Sequence, residues 1–407
     1  MVVQYLQGDC REVLKGLPAG SVQCVVTSPP YMGLRRYLPA GHPDAGKEIG
    51  REPSPTEYVA ALVEVFREVW RVLRDDGVLF INLGDSYNAA GRTGHGTRIG
   101  AKQGTNRASA TGADCSRSSD DVLKPKDLLM IPARVALALQ ADGWWIRQDI
   151  IWAKTSCMPE SVTDRCTTSH EHVFHLTKSE TYYWDGFAIA EPSTGIITDK
   201  GGLSGVYSSG SGRGDGTGHY SGGFLTGATR NKRSVWTINP QPFSGSHFAT
   251  MPPLLVETCI KAGSSEKGCC PHCGSPWERI IEIGEPDEAA RKAAGADLTG
   301  GYSGHSTKGH AAAGVQDASA VKARILEGMR VKRTVGWRPT CKCPEHKPVP
   351  CVVLDPFSGA GTTAMVANNL QRDAIGIELN PEYVDMARCR IEDKAGLFGK
   401  YAWGLDT

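Results

Sequence analysis

The sequence predicts an α/β protein built around a mostly parallel sheet with helices on both faces. Three observations carry that expectation. Near the C-terminus an apolar run at 351–354 ends in Asp355, meets the turn Gly359-Ala360-Gly361, continues as a helical run at 362–370, and returns as a second apolar run at 374–377 ending in Glu378. Strand, glycine turn, helix, strand and acid in that order make half of a nucleotide-binding α/β unit. At the N-terminus a second series of strand, acid, helix and strand occupies residues 2–27. Between them, apolar runs at 78–83 and 144–152 alternate with helical patterns at 54–76 and 125–140.

Composition bounds the class. The 407 residues are enough for a large core and more than one domain. A formal net charge of +1 means that any nucleic-acid-binding charge must be local. No apolar run reaches membrane-spanning length and the N-terminus lacks a signal-peptide pattern, which predicts a soluble, cytoplasmic protein with no membrane partner. Thirteen cysteines without disulfide-style spacing predict scattered core thiols plus one metal cluster.

The first strand, 2–7, ends at Gly8-Asp9 and is followed by a short helix at 10–17. A buried strand at 22–26 then ends in Thr27-Ser28-Pro29-Pro30-Tyr31. Two consecutive prolines donate no backbone hydrogen bonds, so the sheet must stop there. An isolated Ser-Pro-Pro also reads as a plain rigid turn. Here a strand delivers it to the carboxyl edge of a parallel sheet, where α/β proteins place their chemistry. Ser54-Pro55-Thr56-Glu57 has the cap, proline and acid of a helix start. Tyr58, Leu62, Val65, Val69 and Val72 recur at helical spacing, and Asp76-Gly77 reads as the end of that helix. A strand at 173–177 follows His170-Glu171-His172. A zincin pair would need two His four apart on a helix with Glu between them, so these residues do not indicate a metalloprotease.

Three inserted segments stand apart. Residues 84–121 are rich in Gly, Ser and Thr and carry Arg92, Arg98, Lys102, Arg107 and Arg117. They read either as a solvated insertion or as a loop that orders on a phosphate backbone. Within 191–233, Tyr207, Arg213, Tyr220, Arg230 and Arg233 interleave aromatic and basic residues, which suits DNA contact as well as a flexible linker. Residues 264–350 open with Cys269-Cys270-Pro271-His272-Cys273-Gly274 and close with Cys341-Lys342-Cys343. Cys270-x-x-Cys273 before a glycine reads as a zinc knuckle. The second pair is one residue shorter, so Cys269 or His346 are alternative ligands, and metal-free reduced thiols remain the other reading.

The glycine turn lacks the third glycine of a dinucleotide site, so nothing relieves crowding beside a pyrophosphate. Asp-Pro-Phe-Ser-Gly-Ala-Gly-Thr-Thr at 355–363 and Gly376-Ile377-Glu378-Leu379-Asn380 instead resemble the cofactor motif of S-adenosylmethionine-dependent DNA amino-methyltransferases. The string from Thr27 to Tyr31 resembles that family's catalytic motif, in the form typical of N4-cytosine enzymes. Catalytic motif before cofactor motif is the order of the β class, and the resemblance covers 1–83, 122–262 and 351–395. It implies a permuted, Rossmann-like, seven-stranded methyltransferase sheet with loop insertions and a zinc-ribbon-like insert. The expected division is a catalytic half at 1–83, a basic loop at 84–121, a target-base side at 122–190, a DNA-recognition loop at 191–233, a cofactor side at 234–263, the insert at 264–350 and a cofactor half at 351–407.

The resemblance also implies site residues. Asp9 would approach the cofactor adenine, Phe248 would pack on its methionine part, and Glu378 would hold its ribose hydroxyls. Asp355, Phe357, Gly359, Gly361 and Thr362 would complete that site. Ser28 and the Pro29 carbonyl would accept the two hydrogens of the target amine, Pro30 would stiffen the turn, and Tyr31 would stack on the flipped base. Cys270, Cys273, Cys341 and Cys343 would share one structural zinc. The function expected is methyl transfer from S-adenosylmethionine to N4 of cytosine in double-stranded DNA. N6-adenine methylation, methylation of RNA or protein, and a non-catalytic zinc-bearing DNA binder are the alternatives. A homodimer and a cognate restriction enzyme are further partners that the resemblance allows.

Overall fold

The computed structural model describes residues 1–33, 36–39, 41–88, 123–124, 126–157, 160, 162–192, 229–241, 250–286, 330–395 and 400–403. Its strands, in chain order, are β1 (Val2–Gln7), β2 (Val22–Thr27), β3 (Leu73–Leu83), β4 (Trp145–Ala153), β5 (His170–Thr177), β6 (Glu191–Pro192), β7 (Thr229–Arg230), β8 (Val235–Thr237), β9 (Trp277–Pro286), β10 (Arg330–Pro339), β11 (Val352–Asp355), β12 (Asp373–Glu378) and β13 (Lys400–Trp403). The α-helices are α1 (Cys10–Val13), α2 (Pro55–Val72), α3 (Ile131–Ala141), α4 (Pro253–Gly263), α5 (Thr362–Asn369) and α6 (Pro381–Ala395).

The main sheet runs β13-β1-β12-β11-β2-β3-β5-β4-β8. Its centre is the expected seven strands, and short edge strands β13 and β8 extend it to nine. Only β5 runs antiparallel to its neighbours, pairing with β3 on one side and β4 on the other. The N-terminal strands β1 and β2 interleave with the C-terminal strands β12 and β11, all in parallel. The contact between the two halves of the motif order is short: Val353 pairs with Cys24 and Leu354 with Val25.

Every residue of β2 is buried, as expected of a central parallel strand covered on both faces. On one face Val25, Leu79 and Ile81 join the core formed by Tyr58, Leu62, Val65, Val69 and Val72 of α2. On the other, Cys24, Val78 and Phe80 lie against Gly263 at the end of α4. Ser54 caps α2 as expected: its Oγ accepts from the Glu57 amide at 3.2 Å and donates to the Glu57 carboxylate at 2.8 Å.

Two boundaries differ from the sequence reading. Helix α2 stops at Val72, and Asp76-Gly77, read as a helix end, lies inside β3. The register of β3 against β2 shifts between Val22 and Cys24, so these turn residues form a bulge in a strand. Arg74 pairs with Asp76 at 2.8 Å and Lys178 with Asp75 at 2.9 Å, which satisfies the acids there. Helix α3 begins at Ile131 rather than near 125. Lys126 and Met130 have φ of 67° and 54°, and Pro132 is tolerated only in a first turn.

The chain divides into two compact units. One comprises Met1–Asp185, Arg233–Trp277 and Pro339–Thr407, and holds the main sheet. The other comprises Gly186–Lys232 and Glu278–Arg338. Within it Arg230 pairs with Glu191 at 2.9 Å, and the Arg279 guanidinium lies 4.4 Å from the centre of the Trp337 ring.

The buried hydrogen bond from Thr27 Oγ1 to Asp355 Oδ1, 2.6 Å long, ties the ends of β2 and β11 together. Thr27→Val should remove one hydroxyl donor from that acid and lower stability by about 1.5–3 kcal/mol. The check is a lower urea midpoint at unchanged m-value.

Candidate functional site

The ends of four parallel strands, β1, β2, β11 and β12, build a crevice on one edge of the main sheet. Asp9 follows β1, Ser28 and Pro30 follow β2, Phe357 and Gly359 follow β11, and Glu378 ends β12; all six line it. These expected site residues come from opposite ends of the chain.

Local sequence explains each position. Pro29 and Pro30 end β2, and Tyr58 of α2 donates to the Pro30 carbonyl at 2.8 Å, which locks the turn. After β11 the chain reverses through Gly359 and Gly361, with φ of +49° and +75°, left-handed values that favour glycine. Tyr5 of β1 donates to the Gly359 carbonyl at 2.7 Å. Arg390 of α6 donates to the Ala360 carbonyl at 3.1 Å and to Thr362 Oγ1 at 2.8 Å.

Glu378 is the most constrained acid in the crevice. Its Oε2 accepts from the Gly359 amide and its Oε1 from the Asn380 amide, each at 2.8 Å. Burial pushes its carboxyl up to about 7, against the pull of those two amides. Asp355 is likewise raised to about 6 by burial, against donation from Thr27. Asp9 caps α1, accepting from the Arg11 amide at 3.0 Å, and also forms an ion pair with the Arg11 guanidinium at 2.7 Å.

The other expected residues lie around the crevice rather than in its lining. Asp355 is 2% exposed and sits behind it. Gly361 packs against Ala387, and Thr362 is engaged by Arg390. Pro29 is buried. The Tyr31 hydroxyl donates to Glu171 at 2.6 Å and lies 3.2 Å from Asn82 Oδ1. Phe248 and the basic residues of 89–122 lie outside the described residues.

Tyr37, Glu48 and Tyr383 also line the crevice. Asn380 donates to the Tyr37 carbonyl at 2.7 Å, and the Tyr37 and Tyr383 rings meet edge to face, 6.5 Å apart. Tyr37 and Glu48 lie in an irregular segment, so no periodicity could single them out. Asn82, which joins Glu171 and Lys154 beside Tyr31, carried no motif of its own.

At the opposite edge, Cys270, Cys273, Cys341 and Cys343 place their sulfurs within 4.8 Å of one another. Tetrahedral zinc–thiolate bonds of about 2.3 Å set sulfurs roughly 3.8 Å apart, so the four fit one ion after a small contraction. The His272 amide points at Cys270 Sγ, 3.4 Å away. Cys269 instead turns toward the Pro350 carbonyl at 3.5 Å, and His346 Nδ1 lies 2.7 Å from the Pro344 carbonyl. The knuckle is attached to the strand starts: Gln23 donates to the Gly274 carbonyl at 3.3 Å, and Arg74 donates to the Cys273 carbonyl.

A DNA methylase family model, covering N6 and N4 enzymes, matches residues 22–275 and 350–388. The type II methyltransferase M.Cfr9I of Citrobacter freundii is 36% identical over 95% of this chain and 86% of its own length. M.SmaI of Serratia marcescens is 34% identical over 95% of this chain and 90% of its own length. Among solved structures, the cytosine-N4-specific PvuII DNA methyltransferase aligns with a TM-score of 0.49 at 15% identity, over 97% of this chain and 89% of that one. With the family model spanning more than half of the sequence, this chain belongs to the N6/N4 DNA methylase family.

Proposed function

We propose that this protein transfers a methyl group from S-adenosylmethionine to the exocyclic N4 of a cytosine flipped out of duplex DNA. The observation that carries the reading is the convergence of the Ser28 turn and the Glu378–Gly359 turn on one crevice. The cofactor, when bound, supplies an electrophilic methyl group. Glu378 offers it two carboxylate oxygens already oriented by backbone amides, suited to a ribose diol. Phe357 and Tyr383 supply apolar surface beside that acid.

The amine of a nucleobase is a poor nucleophile because its lone pair conjugates with the ring. Ser28 Oγ and the Pro29 carbonyl would accept its two hydrogens and bring the lone pair out of conjugation. They also stabilise the positive charge that grows on nitrogen. Tyr58 and the two prolines hold these acceptors before substrate arrives, so little reorganisation is needed.

A neutral serine, not a carboxylate, opens the turn, which is the form typical of N4-cytosine enzymes in the family the motif resembles, and on that resemblance cytosine is favoured over adenine. N6-adenine is the second reading, because either amine offers two hydrogens to the same two acceptors. The cysteine cluster lies on the side of the sheet where strands begin, so the zinc we assign to it would be structural. It would close the base of the insertion between α4 and β11.

Four outcomes test this reading. Ser28→Ala should cut turnover at least a hundredfold with cofactor affinity unchanged, because the lost bond acts in the transition state. Labelled transfer assays and cofactor titration measure the two effects. Cofactor affinity should rise about tenfold from pH 6 to pH 8, because Glu378 accepts hydrogen bonds best when ionised and its carboxyl sits near 7. The sign follows directly: acid protonates Glu378 and weakens binding. Calorimetry across that range should lose this dependence in Glu378→Gln. Elemental analysis should find one zinc per chain, and chelation should loosen the insertion without abolishing cofactor binding. Mass spectrometry of nucleosides from methylated DNA should show N4-methylcytosine; N6-methyladenine alone would select the second reading.

A further inference from the structure

Tyr31 is anchored to a charged cluster. Its hydroxyl donates to Glu171 Oε2 at 2.6 Å. Asn82 Nδ2, from β3, donates to the same oxygen at 3.0 Å and to the His172 carbonyl at 3.2 Å. Lys154, just past β4, forms an ion pair with the other oxygen, Oε1. Its ammonium also lies 4.3 Å from the centre of the Trp152 ring. The Lys154 and Glu171 side chains are only 18% and 16% exposed, so water competes weakly for them.

The Tyr31 ring is held as well as its hydroxyl. A Cβ on Gly84 would come within 2.6 Å of the ring, so only glycine lets the ring lie where it does. Burial and the adjacent Glu171 carboxylate push the Tyr31 phenol well above its ordinary range, so it keeps its proton near neutrality. Ser28 Oγ lies 3.5 Å from Tyr31 Oη, in a geometry where serine donates and tyrosine accepts. The donors therefore point one way, from Ser28 to Tyr31 to Glu171. The first link is long, as such contacts often are before substrate binds.

The chemistry proposed for the crevice creates a need for such a chain. A nitrogen that takes a methyl group while keeping both hydrogens becomes a cation, so one proton must leave as the methyl group arrives. Resting on that reading, we propose that Ser28, Tyr31 and Glu171 form a proton relay out of the crevice. The nitrogen loses a proton to Ser28 Oγ as Ser28 gives its own to Tyr31 Oη, and Tyr31 gives its own to Glu171 Oε2. The N–H bonding pair stays on nitrogen, the amine becomes neutral, and the carboxylate becomes a carboxylic acid. Ser28 and Tyr31 end as they began. Glu171 acts through Tyr31, as a positioning residue and terminal acceptor; Lys154 and Asn82 hold it in place.

The test uses the full chain under single-turnover conditions, with saturating S-adenosylmethionine and a DNA substrate that the wild type methylates. Glu171→Gln and Tyr31→Phe preserve shape and remove one link each. Each should slow methyl transfer by about tenfold to a hundredfold. Cofactor and DNA affinities should stay within about threefold, and the double variant should be no slower than the slower single variant. The wild type should slow by about twofold or more in deuterated water, and both variants should lose that effect. A rate within about threefold of wild type in either variant overturns the relay. So does a slowed variant that keeps the wild-type isotope effect, since that is what a packing role alone would give. A wild type that transfers no methyl group to any DNA overturns the functional reading itself, and is recognised before any variant is compared.

Discussion

The parallel pairing of β2 with β11 is the constraint on which the rest of the molecule depends. It joins Val353 to Cys24 and Leu354 to Val25, residues from opposite ends of the chain. Such a pairing has a high loop-closure entropy cost, because nearly the whole chain must fold back before it forms. Side chains reinforce it on both sides. Thr27 donates to Asp355 at 2.6 Å, and Thr363 at the start of α5 donates to the Val26 carbonyl at 3.2 Å. The serine-bearing turn and the glycine turn leave adjacent strands in the same direction, so one crevice serves both.

That arrangement buries acid. Asp355 and Glu378 both sit where desolvation favours the neutral carboxyl, and both are raised above their ordinary range. Backbone amides offset part of this penalty by donating to them. A buried acid that water serves poorly, with its oxygens pre-aimed by the backbone, suits a ligand that brings its own hydroxyl donors. Behind the Ser28 turn the corresponding device is Glu171, held by Lys154 and Asn82.

The insertion between α4 and β11 poses a different problem, because a long excursion could leave β11 free to slip. The structure closes it at the base. Cys269 and Val349 exchange two backbone hydrogen bonds, of 2.8 and 2.9 Å, and the cysteine cluster gathers residues from both ends of the excursion. Arg74 and Gln23 attach the knuckle to the starts of β3 and β2. Gln23 also accepts from the Val352 amide at 2.7 Å, so the same side chain touches the first residue of β11. The cysteine cluster and strand register are thus linked at the edge remote from the crevice.

The sequence by itself determined the class of fold, the order of its two motifs and the residues that line the crevice at strand ends. Proline pairs, glycine turns and apolar runs act on their immediate neighbours, so their effects are written locally. Asp9, Ser28, Glu378 and the four cysteines were legible for that reason. Tertiary structure alone decided what depends on partners distant in the chain. Asp76-Gly77 lies in an irregular stretch of β3 rather than at a helix end because β3 must stay paired with β2. Cys269 stays out of the four-cysteine cluster because its backbone pairs with Val349 and its thiol turns toward Pro350. Tyr31 is anchored to Glu171 because β5 runs antiparallel beside β3, which sets Glu171 next to Asn82 at the edge where β2 delivers the turn. Each of these is a contact between strands far apart in sequence, and no local propensity encodes it.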